Sequence, residues 1–158
     1  MEQSRVLKQL SDGDLLAEVN RLANSERTAI ANLVAALGEM DARRLYLGQG
    51  CSSMFTYCTH VLHLAEHAAF NRIEAARAAR RFPIILTLLA DGRVHLSAVR
   101  LLAPHLTAAN HDALLKEASH KSKREIEAIV ARLVPRPDVR TSVRKVLSIQ
   151  CPPLRFRQ

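Results

Sequence analysis

Apolar residues return every three or four positions along most of this chain, the spacing that puts them on one face of a helix. Ser11, with Asp12 and Asp14 after it, predicts an N-cap and an acidic first turn. That helix carries Leu15, Leu16, Val19 and Leu22 on its apolar side. Ser25 predicts the cap of a second, longer helix, with Ile30, Leu33, Val34, Leu37 and Met40 as its stripe and an end before Gly48 and Gly50. Ser52 or Ser53 starts a third through Phe55, Cys58 and Leu62.

From Glu66 the chain is Ala-rich and helical up to Pro83, which disfavours helix at Phe82 and can itself open the short helix PIILTLLA. Asp91-Gly92 reads as a turn, Ser97 as the cap of SAVRLLAPHL, and Thr107 as the cap of TAANHDALLKEA. Ser122 and Glu125 form a capping box before IEAIVARLV, which Pro135 and Pro137 end. The expected architecture is all-α: a single compact domain of about seven helices over residues 10–134, then an irregular, basic, Pro/Arg-rich tail or linker over 135–158.

Composition sharpens this picture. At 158 residues and 48% hydrophobic, the chain is long enough for one sizeable core. The first fourteen residues carry no apolar core for a secretory signal, and no apolar run approaches the roughly 18 residues of a spanning helix. Cys51, Cys58 and Cys151 are odd in number and lack CxxC spacing, which argues against a disulfide frame or a zinc knuckle. A reducing cytoplasm is the expected setting, with no membrane partner.

The net charge of +8 is unevenly distributed: residues 1–70 hold six Lys/Arg and eight Asp/Glu, residues 71–158 seventeen and seven. A basic second half points to a polyanion partner. Arg77, Arg80 and Arg81 share a helical face, and Lys121, Lys123 and Arg124 surround the last capping box, where a helix N-terminus can join them on a phosphate. Arg132, Arg136, Arg140, Arg144 and Lys145 continue into the tail. ILTLLADGRVHLSAVRLL has a helix–turn–helix rhythm, with His95, Ser97 and Arg100 as groove-facing candidates.

One motif points elsewhere. HLAEH, residues 63–67, has the H-x-x-E-H order of an inverted zinc-protease motif, and on a continuous helix His60, His63 and His67 would share a face. A catalytic zinc needs three protein ligands and an open position. His63 and His67 supply two with Glu66 as base, and the candidates for the third are His60 or an acid on another helix such as Asp112 or Glu117, none of them evident as a ligand. Cys58 and His60 point about 200° apart on a helix, so no thiol–imidazole pair is implied. There is no Gly-rich phosphate loop.

MDARRLYLGQGCSSMFTYC, HLAEHAAFNRIEAARAARRFPIIL, DGRVHLSAVRLLAPHLTAANHDALL and HKSKREIEAIVARLVPRPDV together resemble the helical N-terminal region of bacterial HNH-endonuclease proteins, over roughly residues 10–145. The resemblance implies an all-helical domain working beside a metal-dependent DNA-cutting module. Two departures matter besides Met40, where the group has Leu. The group carries a Ser near Ala65, which would cap a new helix, so HVLHL and EHAAF fall on successive helices and the three histidines form no straight stripe. An HNH site also needs a His base and metal ligands. After SVRK the chain reads VLSIQCPPLRFRQ, without His, Asn or an acidic residue.

The expectation is therefore a non-catalytic DNA-binding or positioning domain, a truncated or stand-alone relative without a catalytic residue, metal or cofactor. Its nucleic-acid-binding residues would be Arg77, Arg80, Arg81, Arg100, Lys121, Lys123, Arg124, Arg144 and Lys145, with DNA ahead of RNA as partner. A protein–protein or dimerisation module, with a homodimer left open, is the first alternative. A metal-dependent hydrolase using HLAEH is the second.

Overall fold

The computed structural model describes residues 7–133, and all the elements in it are helical. In chain order they are α1 (Asp12–Arg43), a 3-10 turn (Leu45–Gln49), α2 (Met54–Thr56) running into a π-helical turn (Tyr57–Val61), α3 (Glu66–Arg81), α4 (Ile84–Ala90), α5 (Leu96–Leu102) with a 3-10 extension (Ala103–His105), α6 (His111–Glu117) and α7 (Lys123–Leu133). The all-α expectation holds for these residues, in one core. The predicted tail from residue 135, with Arg144 and Lys145, lies outside them.

Several predicted boundaries move. Ser11 does cap the first helix, accepting the Asp14 N–H at 3.2 Å. Ser25 does not start a second: α1 is one helix of 32 residues. Nothing between Leu22 and Ile30 breaks a helix, since Asn24 and Ser25 are only mildly unfavourable inside one and neither Gly nor Pro intervenes. α1 stops at Arg43 because Arg44 turns left-handed (φ 52°) and returns its N–H to Asp41 O and Met40 O. Ser53 caps α2, accepting the Thr56 N–H at 3.0 Å.

The cap of α5 is His95, not Ser97. The Nδ1 of His95 accepts the Ala98 N–H at 3.1 Å and lies 2.9 Å from Ser97 Oγ. Thr107 and Asn110 bond reciprocally, Thr107 N–H to Asn110 Oδ1 (2.7 Å) and Asn110 N–H to Thr107 Oγ1 (3.2 Å), so α6 begins only at His111. The Ser122–Glu125 capping box forms as expected: Ser122 N–H donates to Glu125 Oε2 (2.8 Å) and Glu125 N–H to Ser122 Oγ (3.4 Å).

α3 occupies the centre. Ala69, Ile73, Ala75, Ala76, Ala78 and Ala79 are buried, so the Ala-rich run is the face of a helix packed on several sides. Small side chains let neighbouring backbones approach. A Cβ on Gly38 would come within 3.2 Å of Ala76 O, which marks where α1 crosses α3. Ile85, Val99, Leu102, Leu115 and Ile126, from α4 to α7, complete the interior. Fully burying side chains of this size stabilises by roughly 1.5–3 kcal/mol each, before conformational entropy.

Candidate nucleic-acid interface

The basic residues of the second half separate into those that hold the fold together and those left to solvent. Arg77 and Arg80 belong to the first group. Arg77 Nε donates to Asp41 Oδ2 at 2.8 Å, and its Nη1 reaches Glu74 at 3.3 Å. Arg80 Nη1 donates to Gly38 O (3.3 Å) and Glu39 Oε2 (3.1 Å). The hydrogen bond to Asp41 holds Arg77 more firmly protonated, and Arg43 first, then Arg80, lowers the Glu39 pKa. Both arginines therefore face carboxylates of α1.

Arg81 turns to the other side, donating from Nη2 to Leu106 O at 2.9 Å with its guanidinium 5.1 Å from the Phe82 ring. Phe82 in turn stacks on His111, centroids 4.7 Å apart, and this ties the end of α3 to the start of α6. Arg100 is half-buried with its guanidinium 5.4 Å from the Phe70 ring, a cation–π contact. The two helices that the rhythm predicts form on either side of the Gly92 turn, as α4 and α5. His95 is occupied as a cap, Arg100 lies on Phe70, and the seven-residue α5 is sunk into the core by Ala98, Val99 and Leu102.

At the start of α7, Lys121 Nζ donates to Glu125 (3.0 Å) and Lys123 lies 3.7 Å from Glu127. Glu125 is held at about 2, by the Ser122 N–H first and then by Lys121 and the Ser122 hydroxyl. Its carboxylate occupies the helix N-terminus that was expected to help hold a phosphate. Arg124 is exposed and faces no carboxylate among the described residues.

The structure also gathers cations that cluster counting passed over. Arg93 Nη2 donates to Ser119 Oγ (3.4 Å), and the Arg93 carbonyl accepts the His120 N–H (2.7 Å). These bonds draw the α4–α5 turn against the α6–α7 turn. Arg93 and Lys116 line one shallow cleft with Asp112, and the exposed Lys121 and Arg124 follow in sequence. Spacing alone does not separate the two groups. Lys121, Lys123 and Arg77 have a Glu three or four residues away, but Arg124 has Glu127 and Lys116 has Asp112 at the same spacings, and of these cations only Arg93 has no acid there.

The histidines of HLAEH do not converge. His63 is left-handed (φ 53°) in the non-helical link after the π-turn, and α3 starts at Glu66 with Ala65 as its cap. His60 and His67 therefore sit on different elements, as the break near Ala65 predicts. Among the described residues no group of three or more His, Cys, Asp or Glu side chains is placed to hold a metal. Cys58 is fully buried, and burial pushes its thiol pKa up. No helix among these residues is long and apolar enough to cross a membrane.

The class that the fold defines is an all-α single domain. Compared with known proteins, the chain matches no protein-family model, no curated protein and no solved structure.

Proposed function

We propose that this chain is a non-catalytic helical domain that holds nucleic acid, DNA ahead of RNA, in the manner implied by its resemblance to the N-terminal region of HNH-endonuclease proteins. The contact surface is the edge bearing Arg93, Lys116, Lys121 and Arg124, continued by the basic residues that follow α7 in sequence, Arg144 and Lys145 among them. The observation that carries the reading is the distribution of uncompensated charge. Residues 7–133 hold sixteen Lys/Arg and thirteen Asp/Glu, a net of +3, so the remaining +5 falls on residues 1–6 and 134–158. Within the described part, Arg77, Arg80, Lys121, Lys123 and Arg132 form ion pairs with carboxylates, while Arg93, Lys116 and Arg124 form none, Arg93 and Lys116 sharing a cleft with Asp112.

Contacts of this kind supply affinity and salt dependence rather than sequence choice. Fluorescence anisotropy on two unrelated duplexes at several salt concentrations tests it. The expected result is salt-sensitive binding, weakened similarly on both duplexes by Arg93→Ala/Lys116→Ala/Arg124→Ala, with a flatter salt slope. Arg77→Ala/Arg80→Ala is expected to lower stability and leave affinity nearly unchanged. An absence of binding at low salt defeats the proposal.

A further inference from the structure

We propose that the cleft between α1, α3 and the α4–α5 turn binds a small amphipathic carboxylate, an apolar body carrying one anionic end. The cleft holds about 350 Å³, within the range of small-ligand sites. Leu89 and Val94, both buried, and the half-buried Ile30 and Leu96 give it an apolar lining. The polar side chains among them are Arg27, Asn71, His95 and Ser97, with no Asp or Glu. A lining of that composition suits a ligand whose body is apolar and whose charge is negative.

The bonds already made inside the fold decide which polar groups are left for a ligand. Ser97 and the Nδ1 of His95 are engaged in the α5 cap, Nδ1 accepting the Ala98 N–H at 3.1 Å. A neutral ring in that role carries its proton on Nε2, a donor with no partner among the described residues. Arg27 bonds only to Asn24 Oδ1, at 2.9 Å, and meets no carboxylate among these residues. Its guanidinium lies against Gly92 at the rim, where an added Cβ would come within 2.9 Å of Cζ. Asn71, half-buried on the central helix, makes no side-chain hydrogen bond among the described residues, and its Oδ1 is enclosed with no donor in reach. A polar side chain kept for the fold has its bonds made, and an apolar one of similar size would serve packing better here. Arg27, the Asn71 amide and His95 Nε2–H are thus three unspent donors around one apolar cleft. A carboxylate is the group that accepts from all of them.

The test is a titration of sodium octanoate into the isotope-labelled full chain, followed by NMR. Saturable shifts are expected at the backbone amides of Ile30, Gly92, Val94 and Leu96 and at the Asn71 side-chain amide, with half-saturation below about 1 mM. Acetate has the charge without the body, and 1-octanol the body without the charge. Each should bind at least about tenfold more weakly. Arg27→Ala should weaken octanoate binding by about tenfold or more, and Arg27→Lys should restore part of it. Asn71→Leu should lose most of the binding yet melt no lower than wild type, because it removes an unbonded amide. Octanoate that fails to saturate, 1-octanol that binds as well, or unchanged affinity in Arg27→Ala and Asn71→Leu overturns the proposal. So does a lower melt for Asn71→Leu, which would show that the amide serves the fold. Shifts gathered on Leu16 and Val19 of α1 would mark octanoate spread over exposed apolar surface, and they overturn it too.

Discussion

Arg77 of α3 donates its Nε–H to Asp41 of α1 at 2.8 Å, joining residues 36 apart in sequence. One turn further along α3, Arg80 does the same with Gly38 O and Glu39. The two arginines flank the point where Gly38 lets α1 settle on Ala76. They read as a phosphate-binding face in the sequence and as a seam between helices in the fold.

The seam depends more on the missing side chain than on the charges. Gly38→Val should destabilise the domain by about 1–3 kcal/mol, because added atoms meet the Ala76 carbonyl and the Arg80 stem in an already packed contact. Arg77→Ala should cost no more than about 1 kcal/mol, since Arg77 is well exposed and water screens the pair. Denaturant melts of the two variants give the comparison, and a larger loss for Arg77→Ala would contradict this account of the seam.

Gly92 serves two purposes. Its φ of +70° suits glycine, and a Cβ there would come within 2.7 Å of Arg27 Nε. Gly92→Ala should lower stability by about 1–2 kcal/mol from the left-handed backbone, while the exposed, flexible Arg27 side chain swings aside from the added Cβ at little cost. Denaturant melts that show no loss for Gly92→Ala would contradict this account of the turn.

Glu125 makes the domain acid-sensitive in a defined window. Its carboxyl titrates near 2 in the folded protein against an ordinary value of 4.5. The unfolded chain therefore takes up its proton first as pH falls. The stabilisation is fully present above about 4.5 and is lost progressively as pH drops through about 2. Wild type should melt above Glu125→Gln at neutral pH, and the gap should close across that window. Ser122→Ala should move the Glu125 titration, followed by NMR, back toward 4.5.

Cys58 should resist alkylation by iodoacetamide in the native protein and react once the chain is unfolded, because its thiol is enclosed and its pKa raised. Cys58→Ser, which puts a hydroxyl in the same apolar site, should cost about 1–3 kcal/mol. Rapid native modification at this residue, seen by peptide mass spectrometry, would show that the site opens.

HLAEH should not hold zinc. His63 sits in a left-handed link between helices, and His60 and His67 are on different elements. Elemental analysis of protein dialysed against excess zinc should give well under one ion per chain. Stoichiometric metal lost on His63→Ala/His67→Ala would reverse this.

The sequence by itself determined what depends on neighbours a few residues apart. The helical class follows from the 3–4 apolar spacing. The Ser11 and Ser53 caps, the Ser122–Glu125 box, the stop before Pro83 and the turn at Gly92 are all local bonds or local backbone limits, so each was legible. The break near Ala65 was visible only as a departure from a family resemblance, because no residue there is a strong breaker. The tertiary structure decided whatever required two distant segments to meet. Ser25 looks like a cap in isolation, yet it lies within α1, whose continuation is favoured once Ala31, Val34 and Leu37 are buried on α3 and α4. His95 displaced Ser97 as a cap because its ring nitrogen reaches the Ala98 N–H in the folded turn. Charge is the clearest case: a row of arginines on one helix face carries no statement of which carboxylates will stand opposite. Asp41 and Glu39 lie 36 and 41 residues from the arginines they neutralise, and only packing α1 on α3 brings them within reach.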